Sequence, residues 1–215
     1  YEKIRFDLFK LLFSTLITTI FIYLNGMNMY HGIFYIFLLI VYCVSLFYKN
    51  VIDDDIVNET DSTIFSIFSK VGFGILGLSI GANFIVDSAQ NIALNLGLPS
   101  VLIGMSIVAL GTSLPELAAS LASIKHKQEG FVIGNIIGSN LFNILLVLGL
   151  SIIVKPIPIN FYNILLQLLF MVILTILLYI LLRNKHGISR LDGLWILIIY
   201  ILFLYFNFSK GLDII

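Results

Sequence analysis

Gly111-Thr112-Ser113-Leu114-Pro115-Glu116 is the stretch on which the reading of this chain turns. It interrupts an apolar run from about Val101 to Ile124, and Glu116 is the carboxylate set deep within the central apolar runs. A carboxylate in hydrocarbon is costly, so such residues usually face a cavity and serve ions or protons. Thr112 and Ser113 precede it by four and three positions, which puts their hydroxyls on the same helical face. Pro115 has no backbone N–H and its ring clashes with the preceding turn. The spacing therefore predicts a kink here and a released carbonyl at Gly111. Carboxylate, hydroxyls and free carbonyls are all oxygen donors, the set preferred by hard cations such as Na+ and Ca2+.

The next apolar run carries a matching polar stripe. In Gly134-Asn135-Ile136-Ile137-Gly138-Ser139-Asn140-Leu141-Phe142-Asn143, the residues Asn135, Ser139 and Asn143 recur every four positions. Gly134 and Gly138 share that interval, the small-xxx-small spacing that allows two membrane helices to approach closely. Only a short basic loop joins the two runs, so antiparallel packing is expected, with the stripe facing Glu116. Packing alone would account for the glycines and for Asn135 or Asn140. It would not require a buried acid.

Composition places both runs in a membrane. Of the 215 residues, 60% are apolar and 11% charged, and mean hydropathy is +1.07. Soluble domains are about a quarter charged, and one this apolar would expose a large greasy exterior. A lipid bilayer as the surrounding partner removes that difficulty. Seven stretches suffice to cross it, allowing for snorkelling at their ends: about Leu11–Leu24, Ile33–Phe47, Val71–Leu96, Val101–Ile124, Phe131–Val154, Phe161–Leu182 and Leu194–Phe208. Turn signals separate them, among them Asn25-Gly26 and Gly97-Leu98-Pro99.

Alternating the loops puts Lys3, Arg5, Lys10, Lys49, Lys70, Lys125, Lys127, Arg183, Lys185 and Arg190 on one side, and Lys155 and Lys210 on the other. Cytoplasmic loops carry such an excess. The N-terminus and the acidic segment Asp53–Asp61 are thus expected in the cytoplasm and the C-terminus outside. That segment, with Asp53, Asp54, Asp55, Glu59 and Asp61, lacks the ligand spacing and central glycine of a calcium-binding loop. It reads as a solvated connector. Net charge is zero, so nothing points to nucleic acid. The single cysteine, Cys43, excludes an intrachain disulfide. The chain opens on Tyr1 without a signal-peptide pattern and reads as part of something longer. His31, His126 and His186 fall in loops. Asp87 and Gln90, near the outer end of the third run, would be wetted either by an entry pathway or by the interface. Gly72, Gly74, Gly77 and Gly81 on the same run suit either a sliding gate or simple close packing.

A weak internal echo accompanies this layout. Tyr30-His31-Gly32-Ile33-Phe34 opens the second run, and Leu191-Asp192-Gly193-Leu194-Trp195 opens the seventh. Repeats of this kind are common in secondary transporters, whose sites lie near midplane at the repeat interface.

The two motifs, in this order and at this separation, resemble the second alpha-repeat of the calcium/cation antiporter superfamily, the sodium/calcium exchangers among them. The resemblance extends from about Gly72 to Gly149. It implies an all-α polytopic membrane protein with about seven transmembrane helices in this chain, part of a ten-helix fold of two inverted five-helix halves. Residues 1–50 would be the last two helices of the first half, 51–70 a cytoplasmic connector, and 71–215 the second half. The resemblance also implies a secondary transporter rather than an enzyme. Ca2+ would exchange for Na+ across the cell membrane, with the transported ions in place of any cofactor.

Carried over by motif, Glu116 would bridge the Ca2+ and Na+ sites. Thr112 and Ser113 would lend oxygens, Ala109 a carbonyl to a Na+ site, and Ser139 a further Na+ ligand. Asn143 stands where relatives vary between carboxylate and amide. One acid is a thin complement for Ca2+, which gathers about six to eight oxygens, so an N-terminal half bearing a second acid is expected as a partner. The nearest alternatives are a Ca2+/H+ exchanger, with Glu116 carrying the proton, and a non-transporting membrane scaffold.

Overall fold

The computed structural model describes residues 2–52, 64–98, 103–156, 161–184 and 188–212; the acidic connector lies outside them. All regular structure among them is helical. In chain order these are α1 (Glu2–Asn25), α2 (Met29–Ile52), α3 (Ile64–Asn95), a π-helical segment π1 (Gly104–Val108), α4 (Ala109–Thr112), α5 (Leu114–Lys125), α6 (Glu129–Phe142), a second π segment π2 (Asn143–Leu148), α7 (Gly149–Val154), α8 (Phe161–Asn184) and α9 (Arg190–Leu212). Among the described residues six helices are long and apolar enough to cross a membrane, or up to seven if the bent pair Ser106–Thr112 and Leu114–Lys125 counts as one span. The runs that looked short in sequence gain length from flanking polar residues: α1 and α2 each have 24 residues and α9 has 23. At the conventional rise of about 1.5 Å per residue each exceeds the roughly 30 Å hydrocarbon core.

The chain divides into two compact units. The first comprises Tyr1–Val57 with Ile133–Leu197, the second Asn58–Val132 with Ile198–Ile215. In the first unit α1 packs along α8, and α2 along π2 and α7. Its core holds Leu8, Leu11, Tyr35, Ile137, Leu141, Leu145 and Ile152, all nearly inaccessible. Gly32 of α2 and Gly149 of α7 bring these helices into backbone contact. A Cβ on Gly32 would stand 2.6 Å from the Gly149 carbonyl oxygen and 2.7 Å from Ile153 Cγ1. Without a driving force from water, membrane helices associate through such close approaches and through polar links.

The polar links are present too. Tyr35 Oη donates to Thr18 Oγ1 at 2.9 Å, and Thr18 donates in turn to the Ser14 carbonyl at 2.7 Å. At one end Arg5 Nη2 donates to the Arg183 carbonyl at 3.0 Å, where a cation meets the negative end of the α8 dipole. Further along α1, Lys10 is bonded to Asp7 at 3.3 Å and Ser45 at 2.9 Å, with its ammonium over the Phe6 and Tyr42 rings.

In the second unit α3 packs against π1, α4 and α5. It ends in a Schellman motif: Leu98 N–H bonds the Ala93 carbonyl, Gly97 N–H bonds that of Leu94, and Gly97 supplies the left-handed residue at φ +77°. α5 ends the same way through Gln128 to Ser123 and Lys127 to Ile124, but there a lysine, Lys127, takes the left-handed position at φ +57°.

Candidate cation site

The expected kink is present, and its construction follows from the sequence. Ser113 leaves the helical region at φ −92°, ψ 0° and separates α4 from α5, and the two arms meet at 46°. Pro115 sits in the first turn of α5, where a missing N–H costs nothing. Ser113 N–H reaches back to the Leu110 carbonyl at 3.1 Å, tightening the last turn of α4 in the 3₁₀ manner.

Oxygen collects at this break. Thr112 Oγ1 donates to the Ala109 carbonyl at 3.1 Å and Ser113 Oγ to the same carbonyl at 3.2 Å, and all three residues are exposed. Ser113 is the N-cap of α5 yet makes no side-chain cap bond, because its hydroxyl is turned back to Ala109. Glu116 lies in the first turn of α5, half-buried, with Oε2 shielded from the surface. A negative charge there is favoured by the helix dipole. The carbonyl end of α4 and the amide end of α5 thus face one polar break, the discontinuous-helix arrangement that transporters use to hold ions.

Gly111 is why this break sits tightly in its unit. It is buried, and a Cβ there would run into Cγ2 of Val86 on α3. Asp87, one residue on, is exposed, and Gln90 is half-buried.

Ala109, Thr112, Ser113 and Glu116 are therefore gathered within one bent segment. Ser139 and Asn143 belong to the other compact unit. Ser139, half-buried on α6, donates to the Ile136 carbonyl at 3.2 Å, and Asn140 donates to the same carbonyl at 2.8 Å. Asn143 is exposed and is the first residue of π2. Within each unit the tight glycine contacts fall at Gly32, Gly149 and Gly111, where an added Cβ would meet a neighbour. Among the described residues no three His, Cys, Asp or Glu cluster as a metal site.

The two π segments escaped the sequence reading. π1 leads directly into Ala109, whose N–H bonds the Gly104 carbonyl five residues back, and π2 begins at Asn143. Such bulges widen a helix by one residue and recur at functional sites. Inside an apolar run they alter no composition, so no sequence signal marks them.

Six or seven apolar helices among the described residues, one of them broken at Ser113 three residues before an acid, define a polytopic α-helical membrane protein. It belongs to the sodium/calcium exchanger protein family, whose family model matches residues 67–209. The chain is 34% identical over 182 residues to an uncharacterized membrane protein of Methanocaldococcus jannaschii, covering 83% of this chain and 58% of that one. It is 42% identical over 83 residues to the sodium/calcium exchanger MaX1 of Methanosarcina acetivorans, covering 39% and 24%. The solved sodium/calcium exchanger from Methanococcus jannaschii superposes with a TM-score of 0.73 at 30% identity, covering 95% of this chain and 65% of that one. The chain thus spans less than two thirds of these relatives' length.

Proposed function

We propose that this chain is the larger part of a cation antiporter exchanging Ca2+ for Na+ by alternating access, and that it supplies one half of the ion site. The observation that carries the reading is the break at Ser113, where the Ala109 carbonyl, the Thr112 and Ser113 hydroxyls and Glu116 share one bent segment. In this reading Glu116 neutralises the cation and is shared between competing Ca2+ and Na+. Thr112 and Ser113 turn their lone pairs to the ion while their protons stay on Ala109 O. Ser139 and Asn143 add oxygens from the following span. Residues 1–50 end the first half, 51–70 connect, and 71–215 form the second half. The site resides in the cell membrane, with the N-terminus of this chain cytoplasmic and its C-terminus outside.

Radiocalcium uptake into vesicles bearing the exchanger that contains this chain tests the reading. Uptake driven by an outward Na+ gradient, and lost in Glu116→Gln, is expected. Uptake that follows a pH gradient instead would reassign the counter-ion to H+. Flux untouched by the substitution would overturn the site. Residues 1–215 alone are expected to show no exchange, since one carboxylate and its neighbours fall short of the oxygen complement of Ca2+.

A further inference from the structure

The π2 segment keeps one face of its span against the core, and in doing so it moves a serine. Along this span the residues packed into the first unit recur at steps of four: Ile133, Ile137, Leu141, Leu145 and Gly149, all buried. An α-helix turns by about 100° per residue, so each step of four drifts by about 40° and the whole series by about 160°. A plain helix would swing Gly149 away from the neighbours that Ile133 faces. The π2 turn, Asn143–Leu148, takes up one extra residue and returns about 100° of that drift. Gly149 then meets Tyr35 and Gly32, and Ile152 follows it, fully buried. Phe142 and Gly149 keep helical dihedrals on either side of π2, so the span is rewound without being broken.

The opposite face is rewound with it. Asn135, Ser139 and Asn143 succeed one another at steps of four on the side away from Ile133, Ile137 and Leu141. Counted as a plain α-helix, Ser151 would stand in line with Ile133, about 80° from Asn143. With the extra residue of π2 discounted, it comes within about 20° of Asn143, two turns further along. Its exposure agrees: Ser151 is exposed while Ile152 beside it is fully buried. Ser151 Oγ donates to the Val147 carbonyl at 2.7 Å, as Ser139 Oγ donates to that of Ile136. Each hydroxyl thereby keeps its oxygen lone pairs for a ligand.

We infer that Ser151 is a further oxygen donor for the transported cation, placed by π2 on the same polar line as Ser139 and Asn143. At about 1.5 Å per residue it lies about 10 Å beyond Asn143. One Ca2+ holds its oxygens within about 2.6 Å, so the two residues do not share an ion. Ser151 instead replaces a water on a partly hydrated cation passing between the outer surface and the site. Lys155 follows one turn further on, and its charge opposes tight binding there, as suits a point of passage. The inference rests on the reading of this chain as part of a cation antiporter with α7 ending outside.

The test labels thiols in the exchanger that contains this chain, in a Cys43→Ser background. Leu150→Cys, Ser151→Cys and Ile152→Cys are made singly and treated from outside with a positively charged methanethiosulfonate. Ser151→Cys is expected to react about tenfold faster than either neighbour, because only a hydrated thiol ionises readily. Saturating Ca2+ or Na+ should slow that reaction. Equal rates at Leu150→Cys and Ser151→Cys, or a Ser151→Cys rate indifferent to both ions, would overturn the inference. Labelling is read without ion flux, so it stands or falls separately from the exchange assay. Deleting Val147, an exposed residue of π2, should leave the pattern intact, because the residue removed is the extra one. Reactivity displaced to a neighbouring position would overturn the register. In flux, Ser151→Ala should raise the external Ca2+ needed for half-maximal rate by about threefold, the scale of one modest polar contact. The maximal rate should hold, and Ser151→Thr should restore the wild-type value; a loss that Ser151→Thr does not restore would count against the hydroxyl.

Discussion

A methyl group added at Gly111 runs into Val86 Cγ2, so Gly111→Ala is expected to destabilise the protein by about 1–3 kcal/mol, as overpacking does. Val86→Ala removes the obstructing γ-carbons and should restore most of that loss. Thermal unfolding of the two single variants and the double variant checks it; additive losses would mean that the two residues do not meet. Lys127 offers the opposite case. It holds a left-handed conformation at φ +57° that costs an ordinary residue about 1 kcal/mol, so Lys127→Gly should raise the unfolding temperature without touching ion flux. At this scale Glu116, Thr112 and Ser113 were legible because a carboxylate in an apolar run has few structural explanations. Ala109 was reached only through resemblance, since nothing about an alanine announces that its carbonyl receives two hydroxyls. The tight glycines were not legible either. Gly32 and Gly149 meet across a long stretch of chain, and the four-residue spacing that singled out Gly134 and Gly138 describes a helix face without saying what covers it.

The broken span is the element on which stability and function pull in opposite directions. Pro115→Ala returns a backbone donor to the turn after Ser113 and removes the ring that opposes a continuous helix. The variant is expected to unfold at a higher temperature while binding Ca2+ more weakly, because α4 and α5 would no longer end at one polar break. Calorimetry and equilibrium Ca2+ binding on the same preparation test this; unchanged binding in a straightened helix would remove the break from the mechanism. The caps make a simpler statement. Asn28 Oδ1 accepts the Tyr30 N–H at the start of α2, and Ser189 Oγ accepts that of Asp192 at the start of α9. Asn28→Ala and Ser189→Ala should each cost about 1 kcal/mol, and nearly equal losses would support treating α2 and α9 as equivalent elements. The kink could be foreseen from Pro115 and its neighbours, and the extra turns of α1, α2 and α9 follow from polar residues that a hydropathy reading trims away. The π segments could not be foreseen, because one additional residue in a run of Leu, Ile and Val leaves the pattern apolar throughout.

At the scale of the whole molecule the lopsided Lys and Arg distribution predicts how the chain threads the bilayer. In a Cys43→Ser background, single cysteines at Gln128 and Ser189 should react with impermeant maleimide only from the cytoplasmic side. Cysteines at Asn28 and Lys155 should react only from outside, and reactivity on the wrong side at any of the four would refute the arrangement. The 46° bend between α4 and α5 gives this experiment a sharper edge, through parity. A bent segment that crosses makes an odd number of passages, and the two termini lie in different compartments. One that enters and turns back makes an even number, and every loop after Lys125 changes sides. The second arrangement would put Lys125, Lys127, Arg183, Lys185 and Arg190 against the positive-inside bias. A reporter fused after Ile215 therefore answers by its compartment alone, and a bend at a single serine fixes the address of everything downstream of it.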